Sequence, residues 1–267
     1  MSYEVISNNC YNENMNPVEL YKKLPRKNCG ECRQKSCMAF AFAVIKGEAD
    51  IAECSILPLK EREEIAGTVT KFDWREDLIT NLQEDIKKIR LDEVSGNLGV
   101  QYREGNLYFK CLGMDVAVSQ DGEIQSSTEL TPWLRMLVLF YVKNGGCKGL
   151  SGKWVLHNEL KGGMMKYKAF RRECEEPLRE LFDGHFERVS RILDDLTSSR
   201  PGEFATRNAW VVTVLPRLPV LLLYWPADDE FDSQVTIRFD SSADSCFDVE
   251  QLIFLVEELL KNIEASL

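Results

Sequence analysis

The spacing of apolar residues changes several times along the chain, and each change predicts a different kind of element. Between Trp74 and Leu91, apolar side chains recur every three or four positions, which predicts an amphipathic helix with one face on a core. After this helix, apolar and polar residues alternate between glycine-containing turns, which is typical of short strands. Such strands are expected at 100–103, 107–111 and 115–119. Because the links between them are short, they predict an antiparallel meander.

After residue 119 the chain alternates between the helical spacing of apolar residues and the spacing typical of strands. Helices are expected at Trp133–Val142, Pro177–Phe182, His185–Leu196 and Val249–Ile263, and strands at Ala209–Leu215, Leu218–Trp225 and Val235–Phe239. The helix that follows Thr131-Pro132 is apolar nearly all round, so it is expected to be buried. The order helix, strands, helices, strands, helix predicts an α+β domain built on an antiparallel sheet.

The N-terminal part of the chain has a different character. Residues 1–16 are polar and rich in asparagine, so a flexible segment is expected there. Residues 17–64 predict a small helical module, with Pro17 at the first position of a short helix. The α+β domain is then expected over 65–267, and 267 residues suit one small module and one core-forming domain.

The module contains four cysteines that are candidate ligands of a metal ion or an iron–sulfur cluster. Cys29, Cys32, Cys37 and Cys54 are spaced C-x2-C-x4-C-x16-C, and four thiolates suit a tetrahedral zinc ion or an iron–sulfur cluster. Three of the sulfurs fall within nine residues and only one C-x2-C knuckle is present, which favours a cluster over zinc. Gly30 can take a positive φ and let the loop curl around its ligand. A zinc site or four unliganded thiols stay open as alternatives.

The surroundings of these cysteines favour an anionic ligand group. The segment from Cys37 to Lys46 predicts a short apolar helix whose N-terminal dipole would point at the cluster. Residues 17–60 carry eight Lys or Arg against five Asp or Glu, a local charge of +3 in a chain of −10. The basic residues that flank the ligands are Arg26, Lys27, Arg33 and Lys35. Their positive charge would raise the reduction potential of a cluster.

The stretch LPRKNCGECRQKSCMAFAFAVIKGEADIAEC resembles the four-cysteine 4Fe-4S module of anaerobic electron-transfer proteins. That module occurs in the large subunit of the corrinoid iron–sulfur protein and in the cluster subunit of the Rnf complex. The resemblance runs from about Leu24 to Leu57 and includes the Cys-Gly pair and the Ala/Phe-rich helix. It implies that Cys29, Cys32, Cys37 and Cys54 bind one 4Fe-4S cluster. It is specific for the cofactor and says little about a reaction.

The second part of the chain has a fainter resemblance. The stretches LSGKWVLHNELKGGMMKYKAF and LPRLPVLLLYWPADDEFDSQVTIRFD resemble an uncharacterised domain that often follows the same cluster module in anaerobic bacteria and archaea. The resemblance covers roughly residues 70–267. It implies the two-part architecture and carries no activity across.

Composition narrows the classes of partner. A net charge of −10 opposes binding to nucleic acid, and the longest apolar run, Met136–Val142, is too short to span a membrane. No signal peptide is visible at the N-terminus, and the odd number of clustered cysteines favours a reducing compartment. We therefore expect a cytoplasmic protein that docks on a redox partner protein through its basic module.

Residues 145–172 form the segment with the highest density of glycine and lysine, and they contain His157. A plain surface connection is one interpretation of this composition. The other is a flexible basic loop that closes over an anionic cofactor such as a corrinoid or a flavin, with His157 as a ligand or hydrogen-bond donor.

The remaining candidates have ordinary explanations. His185 has no metal-binding neighbours in sequence, and the acidic residues between the last strands are typical of a turn; they are Asp228, Asp229, Glu230 and Asp232. Five further cysteines lack mutual spacing and are expected to be buried or incidental thiols; they are Cys10, Cys111, Cys147, Cys174 and Cys246. Motifs of hydrolases, zinc proteases and dinucleotide-binding enzymes are not present.

The function expected from the sequence is one-electron transfer. A cluster bound only by cysteine offers no open iron, so electrons would pass to a partner protein or to a cofactor such as a corrinoid. The alternative is a non-redox binding or interaction protein in which the cluster, or a zinc ion, is structural. Whether the protein catalyses a reaction is left open.

Overall fold

The structure is a computed structural model that describes residues 15–68, 74–145, 148–199, 204 and 206–267. The chain divides into two compact units, the first ending at Asp77 and the second running from Leu78 to Leu267. The predicted domain boundary between residues 64 and 65 stays a prediction. The predicted flexible segment 1–16 lies outside the described residues, except for its last two positions.

The first unit is built from short helices. Helix α1 spans Pro17–Lys23, α2 spans Cys37–Ile45 and α3 spans Leu59–Thr68. Asn16 begins α1, because its side chain accepts hydrogen bonds from the backbone N–H groups of the first turn. The predicted α1 and α2 are therefore confirmed, whereas α3 was not predicted. Apolar side chains of all three helices share one core, and they include Leu20, Phe40, Val44 and Ile65.

Helix α4, Trp74–Ile86, contains the division between the units, and the elements that follow it belong to the second unit. The helices after α4 are α5 (Leu91–Leu98), α6 (Pro132–Lys143), α7 (Gly163–Phe170), α8 (Glu176–Leu196) and α9 (Val249–Ser266). The strands are β1 (Gln101–Arg103), β2 (Asn106–Cys111), β3 (Met114–Ser119), β4 (Ile124–Ser126), β5 (Trp154–Leu156), β6 (Thr197–Ser199), β7 (Asn208–Leu215), β8 (Leu218–Trp225) and β9 (Gln234–Asp240).

The strands form two antiparallel sheets, which confirms the predicted α+β fold. One sheet has the order β1-β2-β3-β4, as the predicted meander requires. The other has the order β5-β9-β8-β7-β6, and every neighbouring pair is antiparallel. The N–H of Leu112 donates to the carbonyl of Val214 at 3.0 Å, which joins the turn after β2 to β7.

The larger sheet packs one face against helices and buries aromatic side chains there. Phe182 of α8 stacks on Tyr224 and Trp210, with ring centroids 4.5 and 5.2 Å apart. Trp133 of α6 stacks on Phe254 of α9 at 4.5 Å, and the predicted buried helix α6 is confirmed by the low exposure of its side chains. These contacts give the second unit an extended apolar core.

A buried carboxylate fixes the end of β9. Asp240 is 3% exposed and accepts hydrogen bonds from the backbone N–H groups of Ser151, Gly152 and Ser242 and from the hydroxyls of both serines, at 2.6–3.0 Å. The chain before β5 is therefore tied to the last strand of the sheet. Burial disfavours the charged form, yet the hydrogen bonds from Ser242 and Ser151 hold the pKa of Asp240 below its ordinary value.

Three predictions need correction. The helix expected from Trp74 to Leu91 ends at Ile86, and Leu91 begins the separate helix α5. The two helices expected on either side of Gly184 form one element, α8, interrupted where His185 has φ −144° and ψ 35°. Residues 145–172 are neither a flexible loop nor a plain connection, because β5 and α7 lie within them.

The end of this segment is held by a close backbone approach. A side chain at Gly163 would place its Cβ atom 1.8 Å from the carbonyl oxygen of His157, so only glycine fits at the start of α7. In the part of the chain that the structure describes, no helix is both long enough and apolar enough to cross a membrane.

Candidate metal centre

The four cysteines of the first unit line one small cavity. Its volume is about 10 Å³, and Cys29, Cys32, Cys37 and Cys54 all contribute to its walls. All four are free thiols; Cys32, Cys37 and Cys54 are buried, and Cys29 is exposed. The fold therefore brings together all four of the predicted ligands.

Cys37 is held by the start of α2 and by Asn28. The side chain of Ser36 accepts a hydrogen bond from the N–H of Ala39 at 3.1 Å and so caps the helix one residue before the cysteine. The Oδ1 atom of Asn28 accepts from the N–H of Cys37 at 2.8 Å, and the N–H of Asn28 points to Cys37 Sγ at 3.4 Å. This reciprocal pair fixes the sulfur and supplies it with a donor.

The loop before α2 curls through backbone conformations that are unusual for side chains other than glycine. Positive φ angles occur at Arg26 (58°), Asn28 (48°), Gly30 (78°) and Arg33 (60°). Only Gly30 was predicted to adopt one. The left-handed region costs an L-residue roughly 1 kcal/mol, so three strained residues in one loop point to a functional constraint.

Cys54 reaches the cavity from the other end of the unit. Asp50 caps a short 3₁₀ turn at Ile51–Glu53, and Cys54 follows it directly. Arg62 of α3 donates from Nε to the carbonyl of Leu57 at 2.8 Å and from Nη1 to that of Ala52 at 3.1 Å. The cysteine thus lies within a segment that one arginine holds at both ends.

The two ligand segments are also joined directly, because the hydroxyl of Ser55 donates to the carboxylate of Glu31. Sequence reasoning missed Asn28, Arg62 and this pair. The asparagine before the first cysteine carried a usable signal, since Asn adopts positive φ more readily than most residues. Arg62 and the Ser55–Glu31 pair carried no such signal, because their hydrogen bonds form only when the chain is folded.

The donor set fits an iron–sulfur cluster better than a zinc ion. Zinc requires its sulfurs to converge on one atom at about 2.3 Å. The four cysteines line one cavity, three of them within nine residues, and the thiolates of an iron–sulfur cluster each bind a different iron.

The electrostatic surroundings favour a negatively charged group. Cys37 is the first residue of α2, so the positive end of this helix dipole lies at the cavity. The four basic residues that flank the ligands are all exposed; they are Arg26, Lys27, Arg33 and Lys35. Arg26 donates to the carbonyl of Lys22 at 3.0 Å.

His157 lies in the core of the second unit. It is fully buried and stacks on Phe170 with ring centroids 4.3 Å apart. Its Nε2 pairs with the carbonyl of Val249 at 3.1 Å, and burial lowers the pKa of the imidazole. Within the described part of the chain, its buried Nδ1 has no hydrogen-bond partner. Its predicted role in cofactor binding stays a prediction.

The other candidates do not form a second metal site in the described residues. His185 is exposed at the interruption of α8. Asp228 accepts from the N–H groups of Glu230 and Phe231 at 2.9 and 2.8 Å, so the acidic run contains the turn that was predicted. Cys111 and Cys174 are buried free thiols, and burial raises the pKa of Cys111 to about 12.

Cys246 corrects one prediction, because it is disulfide-bonded and is not an incidental thiol. The predictions for Cys10 and Cys147 lie outside the described residues.

Two family models match the chain. One, described as "Putative Fe-S cluster", matches residues 24–56. The other, described as "Domain of unknown function (DUF3786)", matches residues 90–262, which is more than half of the chain. The chain belongs to the DUF3786 family.

Curated relatives match parts of the chain. The gamma 1 subunit of the acetyl-CoA decarbonylase/synthase complex of Methanosarcina thermophila is 30% identical over 131 residues, covering 47% of this chain and 26% of the relative. The corrinoid/iron-sulfur protein large subunit of Moorella thermoacetica is 44% identical over 46 residues, covering 17% of this chain and 10% of the relative. The gamma subunit of the acetyl-CoA decarbonylase/synthase complex of Methanocaldococcus jannaschii is 48% identical over 40 residues, covering 15% of this chain and 8% of the relative.

The DUF3786 chain thus spans about a quarter or less of the length of these relatives. No solved structure matches it. The matches confirm the resemblance to the iron–sulfur module of the corrinoid protein, and they identify the chain as an iron–sulfur protein.

Proposed function

We propose that Cys29, Cys32, Cys37 and Cys54 hold one 4Fe-4S cluster, and that the protein transfers single electrons to a partner protein or to a cofactor such as a corrinoid. The observation that carries this proposal is the single cavity lined by all four free thiols. Four thiolates are the ligand set of such clusters.

The surrounding residues have definable tasks. A bound cluster would accept and release one electron at a time. The N–H of Asn28 donates toward Cys37 Sγ, and such hydrogen bonds raise the reduction potential by stabilising the more negative state. The N-terminus of α2 and the exposed arginines and lysines act in the same direction. The buried cysteines keep water away from one side, while Cys29 brings the other side to the surface.

The names of the relatives support a protein partner and a corrinoid acceptor. The Methanosarcina relative is a subunit of a complex, and the Moorella relative is named for both a corrinoid and an iron–sulfur group. The exposed basic residues around the ligands would attract an acidic surface, which accelerates the encounter of redox proteins. The acceptor is therefore expected to present acidic side chains near its redox group.

A structural role for the cluster is the second candidate, and one observation favours it. Cys32, Cys37 and Cys54 belong to the same buried cluster as Leu20 and Phe40. A group bound to these cysteines would therefore also hold the core of the first unit together.

Anaerobic purification and metal analysis of the full chain test the proposal. We expect about four irons and four sulfides per chain, and an EPR signal that appears on reduction and disappears on reoxidation. Replacing Cys37 with Ala should abolish the bound iron. Cys111→Ala is the matched control, because it removes a buried free thiol of the second unit and should leave the iron content unchanged.

The outcomes separate the alternatives. A colourless protein with one zinc per chain contradicts the cluster itself. A cluster that cannot be reduced without unfolding the first unit contradicts electron transfer and supports the structural role.

A further inference from the structure

A large cleft lies in the second unit, far in sequence from the four cysteines. Its volume is about 1000 Å³, at the upper end of the range of small-molecule sites. Helix α8 and the turn before it form one wall, and strand β9 forms the other. The polar part of the lining includes Tyr167, Arg171, Glu175, Arg179, Asp183 and Arg238.

The cleft exists because the sheet ends there. Strand β5 pairs with β9 only at Arg238, Phe239 and Asp240, so the preceding residues of β9 form an open edge. The carboxylate of Glu175 accepts a hydrogen bond from the N–H of Ile237 at 3.1 Å and so replaces the missing strand at one position. The polar wall is therefore an intrinsic part of the fold.

The backbone that carries Arg171 and Glu175 is irregular. Residues Arg171–Glu175 form a π-helical turn between α7 and α8, and both ends of this turn line the cleft. Such turns are rare and occur frequently at functional sites, because they redirect side chains that a regular helix would spread apart. Arg171 Nε lies 3.7 Å from Glu175 Oε2.

Two of the acids that line the cleft, Asp183 and Glu175, have partners within the protein. Asp183 accepts from Arg179 Nη1 at 2.9 Å, from Tyr224 OH at 2.9 Å and from Ser233 Oγ at 2.7 Å. The carboxylate of Glu175 accepts a hydrogen bond from the N–H of Ile237 and forms an ion pair with Arg171. These two acids are therefore compensated by groups of the protein itself.

Glu176 and Asp232 also line the cleft and are exposed, whereas Arg238 has a buried donor. Its Nε is buried, and among the described residues it has no hydrogen-bond partner. A buried donor without an acceptor is unfavourable, so native proteins supply one from the chain, from water or from a ligand. Because Arg238 lines the large cleft, a ligand bound there is one source of this acceptor.

We propose that this cleft binds a small molecule through a carboxylate or phosphate group that accepts hydrogen bonds from Arg238. Arg171, whose side chain is 57% exposed, also lines the cleft and adds positive charge there, although Glu175 lies 3.7 Å from its Nε. Planar guanidinium groups match both oxyanions, so the shared chemistry of carboxylate and phosphate defines the ligand class. The site lies in the DUF3786 region and does not depend on the proposed cluster.

Titration of the full-length protein with inorganic phosphate and with succinate tests this site. We expect at least one probe to bind, with heat measured by calorimetry and with a shift of the Arg238 Nε–H signal in ¹⁵N NMR. Arg238→Gln should weaken binding about tenfold or more, as expected for a hydrogen bond to a charged group. Arg188→Gln is the matched control, since Arg188 is an exposed arginine of α8 that does not line the cleft.

A second variant covers the case in which Arg238→Gln does not fold. Arg171→Gln changes an exposed side chain and should weaken binding by a smaller factor, about threefold. The proposal is overturned if neither probe binds at concentrations up to about 10 mM, or if Arg188→Gln weakens binding as much as Arg238→Gln. It is also overturned if the Arg238 signal stays unchanged while heat is released, because the donor then bonds only to water.

Discussion

The two units of this chain reach stability by different means. In the first unit the helices have only 7, 9 and 10 residues, and three of the four candidate ligands are part of the apolar core. In the second, the 21-residue helix α8 packs on a five-stranded sheet, and the 18-residue helix α9 packs on α8 and α6. Short helices are marginal alone, and very small domains usually need a metal or a crosslink.

The two units also differ in where residues adopt left-handed backbone conformations. Among the described non-glycine residues, those of the first unit are Arg26, Asn28 and Arg33, all in the loop that carries the cysteines, whereas Glu104 and Leu112 of the second unit lie in turns between β1, β2 and β3. The second unit instead places its close backbone contacts and buried polar groups where they close turns, as at Gly163 and Asp240. In the first unit the free-energy cost of unfavourable backbone conformations therefore falls in the cysteine loop. In the second unit the comparable constraints lie in turns around a large apolar core.

Removal of the proposed cluster should produce the largest difference in stability between the two units. We expect that iron chelation of the full chain accelerates amide hydrogen exchange in residues 15–68 by about a thousandfold, equivalent to about 4 kcal/mol, and leaves residues 91–267 unchanged. The reason is that the core of the first unit contains its ligands. Hydrogen exchange with mass spectrometry measures both regions in one sample. Equal acceleration of both regions would contradict this contrast.

A change at Asp240 should affect only the second unit. Asp240→Asn is expected to lower its free energy of unfolding by about 2 kcal/mol at neutral pH, because donors aimed at the carboxylate lose a charged acceptor. A depressed pKa means that this stabilisation is present above the ordinary pKa of about 3.9 and is lost as the pH falls through the lower folded value. The difference between wild type and variant should therefore shrink in acid.

Denaturant unfolding at several pH values, followed by tryptophan fluorescence, measures this effect, since all tryptophans except Trp74 lie in the second unit. Asp228→Asn is the control. Asp228 also has a lowered pKa, owing to the backbone N–H groups of Glu230 and Phe231, but it is exposed. It should change the free energy of unfolding by no more than about 0.5 kcal/mol. A pH-independent difference at Asp240 would show that its charge is not the cause.

The smallest expected effect concerns strain in the cysteine loop. Arg33→Gly should stabilise the first unit by up to about 1 kcal/mol, because glycine adopts φ 60° without the penalty of a side chain. Lys35→Gly removes the same charge at a position without positive φ, and it should destabilise the unit by roughly 0.5 kcal/mol through chain entropy. The denaturant midpoint for loss of cluster absorbance reports both; shifts in the same direction would argue against strain.

Sequence reasoning predicted the regular parts of both units well. Helices α1 and α6 had start signals at Pro17 and at Thr131-Pro132, whereas α9 and the long strands β7 and β8 were predicted from their apolar residues. The cavity lined by four cysteines also followed from spacing, since ligands of one site must converge. These features depend on residues that are close in sequence.

The missed features depend on tertiary context. The π-helical turn at Arg171–Glu175 has no sequence signature, and the role of Glu175 exists only because β5 is too short to cover Ile237. In the sequence Arg238 is one polar position of a strand, and its unpaired Nε is visible only once the cleft is present. The prediction for residues 145–172 is wrong because their glycines and lysines mask the short elements β5 and α7.

The distance along the chain between Cys37 and Cys54 has a consequence for protein turnover. Sixteen residues lie between these two cysteines, including all of helix α2 after Cys37, and a cluster bound to both would close the segment into a loop. By analogy with a disulfide, closing a loop of this size restricts the unfolded chain by about 3 kcal/mol. If the four cysteines hold the proposed cluster, its loss exposes the cleavable segment 15–68 to proteases while the DUF3786 region stays folded. The half-life of the intact chain in a cell then becomes a measure of cluster occupancy.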